Sequence, residues 1–206
     1  MPRFYRRLGL SITTLACLAL AIIVSADAKG PLDVEAALAE RIVGDPAAPV
    51  TIIEYASFTC PLCAAFHTGP DYDGLKKRFI ETGQVKLVFR DFPLDNVSLH
   101  ASMVARCAGT EGYFTRVGEL FATQKQWATA DDPTADLAEI TGLDDAMLTE
   151  CLSSTELSDG LFRLRAQGAT DGVLFTPTYI VNGTMYPGSH SVEEFSEIIE
   201  PLVADK

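Results

Sequence analysis

Two apolar rhythms alternate along this chain. "VTIIEYA" (Val50 to Ala56) and "VKLVFRDF" (Val85 to Phe92) are short, nearly continuous runs rich in β-branched residues, the pattern of buried strands. Between them the spacing predicts a helix from Cys60 to His67, a break at Gly69-Pro70, and a second helical stretch through "YDGLKKRFIET". The result is a β-α-β unit, for which parallel strands with a right-handed crossover are the default. Upstream, "LDVEAALAERIV" (Leu32 to Val43) reads as a short amphipathic helix, ended by "GDPAAP" (Gly44 to Pro49). From about 97 to 170 the period is helical, punctuated by Gly, Pro and Asp. Strand patterns return in "TYIVNG" and "TMYPG", joined through Asn182-Gly183, a strong hairpin signal. "SVEEFSEIIEPLV" (Ser191 to Val203) closes the chain as an amphipathic helix with Ser191 as its N-cap.

The order βαβ, helical block, ββα defines an α/β protein with one shared sheet and a helical insertion packed over one end of it. No internal repeat, low-complexity tract or linker marks a second folding domain.

Charge and the N-terminal segment add a compartment. Arg3, Arg6 and Arg7 precede the apolar run "LGLSITTLACLALAIIV", and Ala26-Asp27-Ala28 fits an A-x-A cleavage site. Residues 1–28 therefore read as an export signal, leaving 29–206 as one domain. An uncleaved membrane anchor is the competing reading of this run. Lipidation at Cys17 is a further one, which the preceding Thr14-Leu15-Ala16 fits poorly. The whole chain carries a net charge of −12 and no clustered basic patch, which excludes nucleic acid as a partner.

Outside that segment stand Cys60, Cys63, Cys107 and Cys151, an even number that suits two disulfides in an exported protein. Three connectivities are open; two-residue spacing favours Cys60–Cys63, which leaves Cys107–Cys151. A strand feeding a Cys-x-x-Cys at a helix start also suits redox chemistry. Cys60 faces unpaired N–H groups and the positive end of the helix dipole, and Pro61 fits a first-turn position. Zinc needs four ligands, whereas Cys107 and Cys151 are single and His67, His100 and His190 are scattered, so no metal is expected. An inert structural disulfide remains the alternative on spacing alone.

A second motif narrows this. "FTPTYIVNG" places Thr176-Pro177 directly before a strand, where proline marks a bend. Together, "GDPAAPVTIIEYASFTCPLC", "FRDFPL" and "TPTYIVNG" resemble the DsbA family of thioredoxin-fold oxidoreductases over nearly the whole exported chain, most closely alphaproteobacterial members with a second cysteine pair. The resemblance implies a thioredoxin-like fold and no cofactor. It implies Cys60 as an exposed nucleophile, Cys63 as its resolving partner, and Pro177 as a cis-proline across from them. Thr176 would offer backbone hydrogen bonds to a bound peptide, and Glu54 would be a buried acid handling the Cys63 proton. Glu54 on the strand's exposed edge is the other reading. His67 is expected at the surface, with tuning of the thiolate as the alternative. Arg90 is expected as a surface arginine, with charge stabilisation near Glu54 as its alternative. Phe114, Phe121 and Trp127 are expected in the core. The family's commonest Pro-His dipeptide is here Pro61-Leu62.

The implied activity is periplasmic thiol:disulfide exchange, introducing disulfides into unfolded exported proteins, with reoxidation by a DsbB-like membrane partner. A reductase or isomerase, and a non-catalytic chaperone of the same fold, are the rivals. Isomerases of this fold generally add an N-terminal oligomerisation segment, whereas here only residues 29–44 precede the core, so a monomer is expected, with a small dimer as the alternative.

Overall fold

Five strands form a sheet among the described residues, 32–204 and Met1, of a computed structural model. They are β1 (Arg41–Val43), β2 (Val50–Ala56), β3 (Val85–Asp91), β4 (Thr178–Val181) and β5 (Thr184–Pro187), in the order β1-β3-β2-β4-β5. The helices are α1 (Val34–Leu38), α2 (Pro61–Thr68), α3 (Pro70–Leu75, continuing as a π-helical turn over Lys76–Ile80), α4 (Asn96–Cys107), α5 (Tyr113–Ala122), α6 (Gln124–Trp127), α7 (Thr134–Thr141), α8 (Asp145–Ser153), α9 (Thr155–Thr170) and α10 (Val192–Ala204). The chain divides into two units, 1–30 and 31–206, and all of these elements belong to the second. The expected export signal, its cleavage site and Cys17 lie outside the described residues.

β2 and β3 pair in parallel, as the β-α-β reading expects, while the other three pairings are antiparallel. Asn182 and Gly183 both take positive φ (45° and 91°), the backbone a two-residue hairpin needs between twisted strands. Strand alternation sends Val50, Ile52, Val85, Leu87, Tyr179 and Val181 into one apolar layer. Phe66 of α2, Leu75 of α3, and Phe195 and Ile199 of α10 complete that layer.

Ser191 and Glu194 cap α10 reciprocally, each side chain taking the other's backbone N–H. The insertion α4–α9 has its own core, with Trp127, Phe121, Leu120 and Leu161 all buried, and Phe114 at its margin. Cys107 and Cys151 are bonded within it, tying α4 to α8 with Cα atoms 6.1 Å apart. That core is continuous with Phe58, Cys60, Cys63 and Phe89, so the insertion closes over the cysteine end of the sheet.

One expected element is corrected. The helix read over Leu32 to Val43 stops at Leu38, and Arg41–Val43 is a strand paired with Phe89, Val88 and Leu87. The cause is capture of the last helical carbonyls by two buried arginines. Arg41 donates to Ala36 O and Ala37 O at 3.1 Å, and Arg106 donates to Ala37 O at 2.7 Å and Ala39 O at 3.1 Å. Arg106 is itself fixed by Asp91 at 2.7 Å. Arg106, Asp91 and the β3 partners all lie far downstream of this segment, beyond any local pattern.

Candidate active site

The loop from Ser57 to Cys60 carries the chain from β2 into α2, and the insertion holds it. Ser98 Oγ accepts from Phe58 N at 3.1 Å and lies 2.7 Å from Ser57 Oγ. Thr59 Oγ1 donates to Asp95 Oδ2 at 2.7 Å, while Asp95 Oδ1 caps α4. The buried Gln124 amide donates to Phe58 O at 2.7 Å and Cys60 O at 3.0 Å. Sequence reasoning missed Asp95, Ser98 and Gln124. A D-x-x-S cap was visible ahead of α4, but nothing local revealed what the cap would also hold.

Cys60 is the N-cap of α2, with Pro61 in the first turn. Its sulfur accepts from Cys63 N at 3.4 Å, using the thiol where Ser or Asp would ordinarily serve. Its thiol also lies 3.3 Å from Thr176 O. The Thr176–Pro177 bond is cis, and its loop faces the sulfur. Pro177 O is held by Gly188 N at 2.9 Å, and Thr178 Oγ1 donates to Phe175 O at 2.8 Å, which anchors this loop to β4 and β5.

Cys60 is less open than the family likeness implies, at 5% exposed. Thr176 O of the cis-peptide loop lies against its sulfur, and the Gln124 amide holds its carbonyl. A hydrogen bond from the Cys63 thiol lowers the Cys60 thiol from an ordinary 9.0 to about 6. Burial opposes that shift, while Thr176 and the N–H groups of Cys63 and Leu62 support it. Cys63, fully buried, is pushed far up, first by burial and then by its bond to Cys60 and the charges of Cys60 and Glu54. The arrangement keeps one sulfur ready as a thiolate and the other as a thiol.

Glu54 lies beneath this pair. It occupies the central strand two places beyond Ile52 and so shares that residue's inward face, with Phe89 and Tyr179 opposite it on either side. It has no exposed surface, which removes the exposed-edge reading. His67 requires a correction: it is buried, and its Nε2 lies 3.0 Å from both Glu54 oxygens. The imidazole stacks on Phe121 at 4.7 Å and packs against Tyr72 at 4.7 Å. The reason is helical period: Cys63, Phe66 and His67 stand at i, i+3 and i+4 and are the buried face of α2. Arg90 is half-buried and does not reach Glu54; it donates to the Tyr55 hydroxyl at 2.9 Å and to Glu40 at 3.3 Å. Among the described residues, no group of three His, Cys, Asp or Glu side chains is placed to hold a metal ion.

Comparison with known proteins agrees with this geometry. A thioredoxin family model matches residues 36–201, so the chain belongs to that family. Within it, the architecture is DsbA-like. The crystal structure of Wolbachia pipientis alpha-DsbA1 superposes with a TM-score of 0.74 at 26% identity, over 81% of this chain and 92% of that one. Oxidised BdbD from Bacillus subtilis shares the fold with a TM-score of 0.72 at 20% identity, over 85% and 97% of the two chains. A Rickettsia conorii protein, provisionally named a protein-disulfide oxidoreductase, is 25% identical over 172 residues, 81% of this chain. The match spans 61% of that relative's length.

Proposed function

We propose that this protein is a thiol:disulfide oxidoreductase that oxidises exported proteins through Cys60 and Cys63. The observation that carries the reading is the pairing of a helix-capping sulfur, held near pH 6 in its titration, with a cis-proline loop 3.3 Å away. In the oxidised enzyme a substrate thiolate attacks Cys60 Sγ, the Cys60–Cys63 bond breaks, and Cys63 takes a proton. A second substrate thiolate then attacks its neighbour's sulfur in the mixed disulfide and releases Cys60 as a thiolate. Two electrons pass to the enzyme, and a membrane partner of the DsbB kind removes them. The low thiol value makes Cys60 a good leaving group in that last step.

The substrate is an extended, unfolded polypeptide. Leu62, Leu174 and Phe175 are about half or more exposed and lie within two residues of Cys63 or Thr176 in the chain, a setting for apolar side chains of a client. Backbone groups beside Pro177 supply strand-like hydrogen bonds to it. The sequence features of the N-terminal segment support a periplasmic location.

An insulin-reduction assay tests the chemistry: turnover in the wild type that disappears in Cys60→Ala is the expected result. Cys60-independent binding without turnover would instead assign a chaperone. Alkylation trapping in intact cells tests direction; a Cys60–Cys63 disulfide at steady state is expected, and a dithiol would make the protein a reductase or isomerase.

A further inference from the structure

Cys63 poses a chemical problem that Cys60 does not. It must lose a proton when it attacks a mixed disulfide and gain one when it leaves, yet it has no exposed surface. Burial makes its bare thiolate costly, so the proton must be exchanged with a nearby group. Glu54 is that group by place: it is fully buried and bonded to His67, one helical turn after Cys63 on the same buried face of α2, and its charge acts on Cys63.

Glu54 does not act on its own. Among the described residues its carboxylate receives hydrogen bonds from His67 Nε2 alone, equally at both oxygens. A single N–H centred between two carboxylate oxygens is the geometry of a charge-assisted bond. His67 is in turn fixed between Phe121 and Tyr72, with Phe66 and Phe89 edge-on to its ring.

We infer that His67 is the positioning residue for Glu54: it orients the carboxylate, and the two side chains together accept and return the Cys63 proton during disulfide exchange. In the resolving direction, the Cys63 S–H proton moves to the Glu54–His67 pair. The Cys63 thiolate then bonds Cys60 Sγ, and the substrate sulfur leaves with the electron pair. In the oxidising direction the pair returns that proton to Cys63 as the Cys60–Cys63 bond breaks. The titratable groups facing the pair are Cys63 on α2, Tyr72 on α3 and Tyr179 on β4, with Asp71 and Asp73 acting on those tyrosines from α3. Both tyrosines are held neutral, first by burial and then by Glu54, so they do not compete for the proton. From α5 and β3, the uncharged rings of Phe121 and Phe89 pack against the imidazole.

The inference rests on the proposed exchange activity, and one experiment separates the two. The probe is glutathione, loaded as a mixed disulfide on Cys60, and the readout is its release by Cys63, followed by acid quench and mass spectrometry from pH 5 to 9. Failure of the wild type to release glutathione would sink the activity itself. With wild-type release established, His67→Gln, which keeps an N–H at the Nε2 position but cannot hold an extra proton, should slow release by about 10- to 100-fold near neutral pH. Its rate should climb about tenfold per pH unit towards alkaline pH, because hydroxide must then remove the Cys63 proton. Adding Glu54→Gln should slow it no further. Wild-type rates and pH dependence in His67→Gln would overturn the inference. A second measurement needs no variant: the His67 imidazole ¹⁵N shifts should differ between dithiol and disulfide forms, and identical shifts across that pH range would also overturn it.

Discussion

Cys60 and Cys63 begin a helix, whereas Cys107 ends one and Cys151 lies in the last turn of another. All four sulfurs are largely buried in one continuous core, so depth does not distinguish the pairs. Helix polarity does. At the start of α2 the unpaired groups are N–H donors, which converge on Cys60 and favour its thiolate. At the ends of α4 and α8 the unpaired groups are carbonyls, which disfavour negative charge. On the proposed function, sulfur is thus a reaction centre at one end of a helix and a staple at the other.

Removing sulfurs tests this division most severely. Cys60→Ser should abolish insulin reduction, while Cys107→Ala/Cys151→Ala should retain it. The double variant should instead lose roughly 4 kcal/mol of stability, the chain-entropy value for a loop closed by a 44-residue separation. For a domain of this size that is about 10 °C in thermal midpoint. Retained fold with lost turnover would show that the staple also serves the reaction.

A smaller change sharpens the account of Cys60. Leu62 offers the sulfur a backbone N–H but no side-chain donor or charge. Leu62→His should lower the Cys60 thiol value and make the disulfide more oxidising by roughly 30–60 mV, the equivalent of one charge-assisted contact. Equilibration against glutathione reads the potential. An unchanged potential would leave backbone donors and the Cys63 thiol as the whole explanation.

The smallest effect is in pH. A thiol lowered on folding stabilises the folded dithiol fully above its unfolded value of 9.0 and loses that contribution as pH falls through about 6. At pH 7 the contribution is about 1.4 kcal/mol, or ~30 mV of oxidising power. Iodoacetamide labelling of Cys60 should accordingly be half-maximal near pH 6, with Cys63 unlabelled up to about pH 9. Matching labelling curves for the two thiols would contradict their assigned roles.

Most of the architecture was legible because strands and helices carry their period locally. The β-α-β unit, the hairpin at Asn182-Gly183 and the cap at Ser191 all follow from a few neighbouring residues. β1 was not legible, because Arg41-Ile42-Val43 continues a helical spacing and only Arg106 and β3 decide otherwise. The sulfurs and the cis-proline loop announced themselves as motifs. His67 did not, although its place one turn after Cys63 put it on the buried face; a lone histidine is usually solvated, and its partner lies on another element. The hold of Ser98 and Gln124 on the loop from Phe58 to Cys60 was hidden for the same reason.

The sheet's borders bear on what such a protein meets in its work. Unfolded clients arrive with unpaired backbone, and any long open border would recruit them into a growing sheet. Here the outer strands are only three and four residues long, and β5 ends in Pro187, which lacks the N–H a newcomer would pair with. On the proposed function, contact with a client is thereby steered towards the sulfur and its proline, and release leaves the protein free of its cargo rather than seeded by it.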